Sequence, residues 1–373
     1  MIDIKIGDCR EVLKTLADKS VNCCITSPPY YGLRDYGDDN QIGLESSPQD
    51  YVNALVDVFK EVKRVLSDDG TLWLNLGDTY SANRWTKKGE DKTEAQPMNK
   101  MKDDWQTLAP KKDTGLPDKN LIGIPWKVAF ALQEDGWILR QDIIWSKPNP
   151  MPESVRDRCT KSHEYIFLFS KNPQYFFDNE AIKEEAKDKD KVYMPYKSGK
   201  NISEQKFNET KTGKTTIVVG DKVNRRSVWS ITVKSFKDAH FATYPPDLIE
   251  PCVLAGCPEK VCKECGKSYV RKVEKGDYNK EHQKACGGNV DGQYTGTSTK
   301  DYESARAQDA SETKKRILES LRETIDLGFH KNCNCKTDDY KSGVVLDPFG
   351  GAGTTGLVAD RLGRDAILCS YSR

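Results

Sequence analysis

Near its carboxyl end the chain carries the segment Val344-Val345-Leu346-Asp347-Pro348-Phe349-Gly350-Gly351-Ala352-Gly353-Thr354-Thr355. Its apolar start predicts a strand, its glycines predict a turn, and residues 356–362 continue with the spacing of a helix. Gly351 and Gly353 allow a ligand to approach the backbone closely. Because no lysine follows the glycines, the segment is not a P-loop. This strand–turn–helix unit indicates an α/β fold.

A second segment, near the amino terminus, ends an apolar run with two prolines. Val21-Asn22-Cys23-Cys24-Ile25-Thr26 is followed by Ser27-Pro28-Pro29-Tyr30. Prolines cannot donate hydrogen bonds to a neighbouring strand, so a strand has to stop there. The stop leaves a hydroxyl, a rigid turn and an aromatic ring at the carboxyl edge of a sheet, where open α/β sheets bind ligands. A strand-ending turn without chemistry is the alternative for two prolines on their own.

Together the two segments resemble the motifs of the amino-methylating DNA methyltransferases, which use S-adenosylmethionine (AdoMet). That family has Ser/Asp-Pro-Pro-Tyr as its catalytic motif and Asp-Pro-Phe-x-Gly-x-Gly-Thr-Thr as its cofactor loop. Here the catalytic motif comes first, which is the order of the family's β group. Further segments resemble the family in the same order. Gly7-Asp8-Cys9 resembles its opening strand and helix, residues 70–78, 140–148 and 164–171 resemble its core strands, and residues 240–245 resemble the segment that precedes the cofactor loop.

The resemblance implies a Rossmann-like AdoMet-dependent methyltransferase fold with a largely parallel sheet. It implies methyl transfer to the exocyclic amine of a base flipped out of double-stranded DNA, without a covalent intermediate. The catalytic positions are Ser27, Pro28, Pro29 and Tyr30, of which the first two accept the amine hydrogens and the last stacks on the ring. The cofactor positions are Asp8, Cys9, Thr26, Asp347, Phe349, Gly351, Gly353 and Thr354. Serine in place of aspartate at the first motif position favours N4 of cytosine, with N6 of adenine as the alternative.

One position departs from the family. After the strand predicted at 363–369 the family has an acidic residue that holds the ribose hydroxyls, where this chain has Ser370 and ends at Arg373. The loss of that carboxylate predicts weaker cofactor affinity, unless another acid such as Asp360 or Asp365 replaces it. Truncation, a frameshift and a DNA-binding remnant with impaired AdoMet binding are therefore alternatives. An RNA or protein-amide substrate is a weaker one.

A cysteine-rich insertion is predicted between the two motifs. It contains Cys262-Lys263-Glu264-Cys265-Gly266 and Cys333-Asn334-Cys335. A Cys-x-x-Cys-Gly turn directs two thiolates to one point, and a second pair completes a tetrahedral zinc site of the closed, structural kind. Cys257 and Cys286 are alternative ligands, and a redox-active Cys-x-x-Cys is the competing interpretation. Between the pairs, residues 305–327 are predicted to form a charged helix.

Composition agrees with this interpretation without proving it. The chain has 373 residues, of which 58 are basic and 57 acidic, so that DNA binding needs a local basic face rather than a basic chain. No apolar run is long enough to span a membrane, and no signal peptide is recognisable. We therefore expect a soluble, cytoplasmic protein, associated with the nucleoid through DNA, whose 12 cysteines are thiols or metal ligands. A cognate restriction endonuclease, and a monomer or a homodimer, are left open.

The predicted organisation interrupts the methyltransferase domain with insertions. The charged residues at 206–226 are either part of a DNA-reading surface or a solvated face. The predicted parts are a catalytic half at 1–180 with a polar loop at 85–120, a target-recognition segment at 181–235, a return to the core at 236–257, the cysteine insertion at 258–342, and the AdoMet loop with a terminal strand at 343–373.

Overall fold

The computed structural model describes residues 1–33, 40–81, 114–185, 222–233, 244–278 and 322–370. The chain divides into two compact units, of which the first comprises residues 1–181, 226–270 and 331–373 and the second residues 182–225 and 271–330. Most of the predicted polar loop and of the target-recognition segment lies outside the described residues. The domain boundaries therefore stay predictions.

The described elements alternate between strand and helix at both ends of the chain. The helices are α1 (Cys9–Thr15), α2 (Pro48–Val65), α3 (Ile124–Glu134), α4 (Pro246–Gly256) and α5 (Thr354–Arg361), with a 3₁₀ turn at Glu180–Ile182. The strands are β1 (Ile2–Ile6), β2 (Val21–Thr26), β3 (Leu66–Leu76), β4 (Ile138–Ser146), β5 (His163–Ser170), β6 (Glu184–Glu185), β7 (Lys222–Val223), β8 (Val228–Ser230), β9 (Val261–Cys262), β10 (Val270–Tyr278), β11 (Arg322–His330), β12 (Tyr340–Lys341), β13 (Val344–Asp347) and β14 (Asp365–Ser370).

An eight-stranded sheet forms the centre of the first unit, in the order β1-β14-β13-β2-β3-β5-β4-β8. The pairs from β1 to β3 are parallel, and β4 is parallel to β8. Strand β5 runs antiparallel to both of its neighbours. The prediction of a mostly parallel α/β sheet is therefore confirmed. The strand order reverses between β13 and β2, and the crevice outside such a point is where open α/β sheets bind ligands.

Helices cover both faces of this sheet, which explains the near-continuous apolar strands. All six residues of β2 are buried, as expected for a central parallel strand. Helices α1, α2 and α3 contribute to one apolar core with the sheet, and α4 contacts α5, β2 and β3. Among the described residues, no helix is both long and apolar enough to cross a membrane.

The helices begin where the sequence supplies acceptors for their first amides. Ser47 caps α2 by accepting a hydrogen bond from the Asp50 amide at 3.1 Å, and Pro48 occupies the first turn. Gly123 precedes α3 and has no side chain to offer. The Asp78 carboxylate, which follows β3, accepts hydrogen bonds from the Gly123 and Ile124 amides instead. The loop after β3 is thereby fixed to α3.

The helix predicted at 305–327 is wrong for its last part. Residues 322–330 form β11, which pairs with β10, and residues 305–321 lie outside the described part of the chain. Ile325, Leu327 and Phe329 alternate with Asp326 and Gly328, and this period of two fits a strand better than a helix. In the same two-stranded sheet, Arg271 forms an ion pair with Asp326 and places its guanidinium 4.5 Å from the Phe329 ring centre.

Candidate active site and cysteine cluster

The two sequence motifs meet at the carboxyl edge of the central sheet. Strands β2 and β13 are parallel neighbours, with Cys24 opposite Leu346, so both motifs begin at the same edge. There the Thr26 hydroxyl donates a hydrogen bond to Asp347 Oδ1 at 2.6 Å. Both side chains are 1% exposed. Residues 321 positions apart are thereby joined beside Ser27.

The Asp347 carboxylate is the hydrogen-bond centre of the glycine loop. Besides Thr26, the Phe349 amide donates to Oδ1 at 3.1 Å. The hydroxyls of Tyr244 and Thr355 donate to Oδ2 at 2.9 Å and 2.6 Å. Burial raises the pKa of Asp347, and these hydrogen bonds oppose that rise. Because protein donors occupy both carboxylate oxygens, Asp347 fixes the conformation of the glycine loop. The sequence did not predict that Tyr244 contributes to this hydrogen-bond network.

A cavity of about 510 Å³ opens beside the glycine loop. Gly351 and Gly353 have φ values of +47° and +75°, which side-chain-bearing residues rarely adopt. Gly353 also precedes α5, where no side chain caps the helix, so its first amides face the loop. The residues around the cavity are Ile4, Ile6, Gly350, Gly351, Ala352, Gly353, Leu368 and Ser370. Ser370 therefore lies in this cavity, at the end of β14.

Asp8 and Cys9 lie just beyond β1, at the same edge of the sheet. Asp8 caps α1 by accepting a hydrogen bond from the Arg10 amide at 2.8 Å, and its carboxylate forms an ion pair with the Arg10 side chain. The Cys9 side chain is 2% exposed and belongs to the apolar core, and burial raises the pKa of its thiol to about 12. A contact of Cys9 with a ligand at this edge would have to be made by its backbone.

The proline motif forms a turn that is anchored along its length. Pro28 is buried, while Ser27 and Tyr30 are half-buried. The Tyr51 hydroxyl of α2 donates a hydrogen bond to the Pro29 carbonyl at 2.8 Å. The structure therefore brings the four predicted catalytic residues to the same edge as the glycine loop.

A group of polar residues that sequence reasoning missed holds Tyr30. Its hydroxyl donates to Glu164 Oε2 at 2.7 Å and lies 3.3 Å from Asn75 Oδ1. Lys147 forms an ion pair with the other oxygen of Glu164, and both side chains are largely buried. Glu164 is in the second position of β5, and the antiparallel direction of that strand brings it to this edge. Motif spacing carries no signal for such a contact.

The four predicted metal ligands come together in the first unit. The Sγ atoms of Cys262, Cys265, Cys333 and Cys335 all lie within 4.8 Å of one another. Gly266 follows the first pair with φ of +72°, and the Gly266 amide donates to the Cys262 carbonyl at 3.0 Å. Cys257 is buried elsewhere and contacts the Pro258 carbonyl, while Cys286 lies outside the described residues. Hydrogen bonds from backbone amides, first that of Cys265, lower the pKa of Cys262 to about 7.

A family model and curated relatives identify one family. A family model described as DNA methylase, for N6 and N4 enzymes, matches residues 21–270 and 272–373. Type II methyltransferase M.Cfr9I of Citrobacter freundii is 48% identical over 250 residues, which are 67% of this chain and 70% of that protein. Type II methyltransferase M.SmaI of Serratia marcescens is 46% identical over 254 residues, or 68% and 74% of the two chains. Among solved structures, PvuII DNA methyltransferase, described as cytosine-N4-specific, aligns at 15% identity with a TM-score of 0.49, covering 100% of this chain and 82% of that one.

The fold and site thus define a Rossmann-like protein whose proline motif and glycine loop share one sheet edge. The chain belongs to the N6/N4 DNA methylase family and, by the order of its motifs, to the β group of amino-methyltransferases.

Proposed function

We propose that this chain is a site-specific DNA methyltransferase that transfers a methyl group from AdoMet to N4 of cytosine in a flipped base. The observation that carries the proposal is the 2.6 Å hydrogen bond between Thr26 and Asp347, which fixes the proline motif against the glycine loop. The relatives named above are type II methyltransferases, which supports a modification enzyme of that type acting on double-stranded DNA. A cognate restriction endonuclease would be its genetic partner.

The cavity beside the glycine loop is suited to AdoMet. Its volume of about 510 Å³ is within the usual range for small-molecule sites, and its glycine backbone allows close approach. When bound, AdoMet supplies an electrophilic methyl group on a sulfonium. Ser370 presents a hydroxyl where the family has a carboxylate, so we expect the ribose to be bound less tightly here.

The proline motif would act on the base. An exocyclic amine is a poor nucleophile because its lone pair is delocalised into the ring. Ser27 Oγ and the Pro28 carbonyl are suited to accept its two hydrogens and so to draw the lone pair out of conjugation. Tyr30 is suited to stack on the ring of the extruded base. The rate gain would then come from positioning and from polarisation of the amine.

Cytosine is preferred over adenine because of Ser27. In the family that this chain resembles, an aspartate at this position is mostly associated with N6-adenine enzymes. N6 of adenine is the second candidate. The two candidates differ in the target base and are distinguished by the methylated nucleoside that forms.

The decisive experiment measures methyl transfer from isotopically labelled AdoMet to unmethylated genomic DNA of mixed sequence, followed by nucleoside analysis. Label in N4-methylcytosine is the expected result, and label in N6-methyladenine would move the assignment to adenine. Absence of label, together with absence of AdoMet binding in calorimetry, would refute the proposal in favour of a DNA-binding remnant.

A matched pair of serine variants tests the catalytic role. Ser27→Ala is expected to abolish transfer while the protein stays folded. Ser20→Ala is the control, because Ser20 precedes the opposite end of β2 and its hydroxyl donates a hydrogen bond to the Ala17 carbonyl at 2.7 Å. Full activity of Ser27→Ala would contradict the role of its hydroxyl.

We further propose that the cysteine cluster binds one structural zinc ion. Four thiolates are the donor set of a closed zinc site, and their spacing within 4.8 Å is compatible with tetrahedral coordination. The pairs lie on either side of β10 and β11, and β9 pairs with β12 at Cys262 and Tyr340. Zinc would therefore tie together the two ends of the insertion. Metal analysis should find about one zinc per chain, and less than about half would count against the site.

A further inference from the structure

In the described part of the chain, a polar cluster lies at the carboxyl edge of the central sheet, beside Tyr30. The family motifs assign no function to this cluster. It consists of Asn75, Lys147 and Glu164, which come from the ends of three neighbouring strands, and it surrounds the Tyr30 hydroxyl. We propose that Glu164 is a positioning residue that fixes the ring plane of Tyr30 for stacking on the target base. This inference rests on the proposed function, because it concerns the orientation of the residue that would hold the base.

The first argument is the set of hydrogen bonds that fixes the Tyr30 hydroxyl and its acceptor, Glu164. The Tyr30 hydroxyl donates to Glu164 Oε2 at 2.7 Å. The Asn75 amide donates to the same oxygen at 3.3 Å and to the Tyr165 carbonyl at 3.0 Å. Burial, followed by the charge of Glu164, raises the pKa of Tyr30 well above 10. The phenol therefore keeps its proton at neutral pH and stays the donor.

The second argument is the position of the ring itself. A Cβ atom at residue 77 would lie 2.5 Å from Tyr30 Cε2, so Gly77 is the residue that leaves room for the ring edge. The ring is thus held at its hydroxyl by Glu164 and bounded along one edge by the backbone of Gly77. A tyrosine needed only for packing would not require a charged acceptor, since a buried charge is costly unless it is paired.

The third argument is that Lys147 compensates the negative charge of Glu164. Lys147 forms an ion pair with Glu164 Oε1, and the two side chains are only 19% and 14% exposed. Lys147 also lies 4.3 Å from the centre of the Trp145 ring, which restricts its position. Lys147 thereby holds the carboxylate in place, and the other carboxylate oxygen, Oε2, accepts the hydrogen bond from Tyr30.

A double-mutant cycle separates positioning from a general structural role. Glu164→Ala and Tyr30→Phe each remove one side of the 2.7 Å hydrogen bond, and Glu164→Gln keeps an acceptor oxygen. We expect each of the first two to lower kcat for labelled methyl transfer by about 10- to 100-fold, the equivalent of losing a hydrogen bond to a charged group. The double variant should be no slower than either single one. Glu164→Gln should recover most of the rate, and Asp142→Ala, an exposed carboxylate of β4, should behave like the wild type.

The affinity for AdoMet distinguishes a loss of positioning from a general structural defect, because a structural defect would weaken AdoMet binding. Its dissociation constant in calorimetry should be unchanged in all five variants, because the glycine loop is anchored by Asp347 and not by Glu164. Multiplicative losses in the double variant, or weakened AdoMet binding in Glu164→Ala, would overturn the proposal. If the wild type itself neither transfers a methyl group nor binds AdoMet, the proposed function fails. The test of Glu164 then becomes the fluorescence of 2-aminopurine in duplex DNA, whose increase on extrusion should be lost in Glu164→Ala and unchanged in Asp142→Ala.

Discussion

Replacing Thr26 by valine tests the contact that joins the two motifs. The change keeps the shape of the side chain and removes only its hydroxyl, which donates to Asp347 Oδ1 at 2.6 Å in a fully buried setting. A hydrogen bond to a charged acceptor contributes about 1.5–3 kcal/mol, and among the described residues Oδ1 would keep the Phe349 amide alone as a donor. We therefore expect the free energy of unfolding to fall by about 2 kcal/mol.

The variant should also bind AdoMet more weakly, because Asp347 sets the conformation of the glycine loop. Urea denaturation followed by tryptophan fluorescence measures the first effect, and calorimetry measures the second. Thr26→Ser keeps the donor and should retain AdoMet affinity. Thr71→Val removes a hydroxyl in β3 that is equally buried and accepts a hydrogen bond from Trp73 Nε1–H at 3.2 Å, so it should lower stability without changing AdoMet affinity. Unchanged stability and affinity in Thr26→Val, or equal loss of affinity in Thr71→Val, would refute the reasoning.

Three further predictions follow from other parts of the structure. Ser370→Glu restores a carboxylate beside the cavity and should tighten AdoMet binding by about tenfold in calorimetry, given the usual strength of a charged hydrogen bond; unchanged affinity would show that position 370 does not contact the ribose. Gly77→Ala places a Cβ 2.5 Å from Tyr30 Cε2 and should lower kcat for methyl transfer without changing AdoMet affinity; an unaltered kcat would mean that the ring position is unimportant. A zinc chelator should lower the thermal midpoint of the wild type but not of Cys262→Ser, and equal responses of the two proteins would argue against the metal site.

The parts of the fold that follow from local pattern were predictable. The apolar run of β2 and its two prolines fix both the burial of the strand and the point where it ends. The glycine loop at 350–353 follows in the same way from its need for positive φ values. The helix predicted at 305–327 failed at β11 because charged residues dominate its composition, while the alternation of Ile325, Leu327 and Phe329 is the weaker signal over so short a segment.

The contacts around the motifs were not predictable from spacing. Tyr244 lies far from Asp347 in sequence. Glu164 lies at the start of β5, and the resemblance of this strand to the family does not predict which residues the Glu164 side chain contacts. The position of Glu164 depends on β5 running antiparallel to β3, which moves the first residues of the strand to the edge where the parallel strands end. Strand direction is a property of the whole sheet, so a contact that depends on it has no local signature.

The two ends of the proline motif are held by different groups. At one end Thr26 is bound to Asp347 and so to the glycine loop, and at the other Tyr30 is bound to Glu164 and so to β5. Pro28 and Pro29 have fixed φ angles between them, so the distance from the loop to the aromatic ring is set by the spacing of neighbouring strands rather than by flexible side chains. If the reaction requires an amine and a methyl donor to meet within a narrow range of distance, this arrangement supplies it before either ligand binds. Losses at the Thr26 end should then appear in AdoMet affinity, and losses at the Tyr30 end in the rate of transfer. If substitutions at Thr26 and at Tyr30 both lowered AdoMet affinity, or both lowered only the rate of transfer, the two ends of the motif would not have these separate roles.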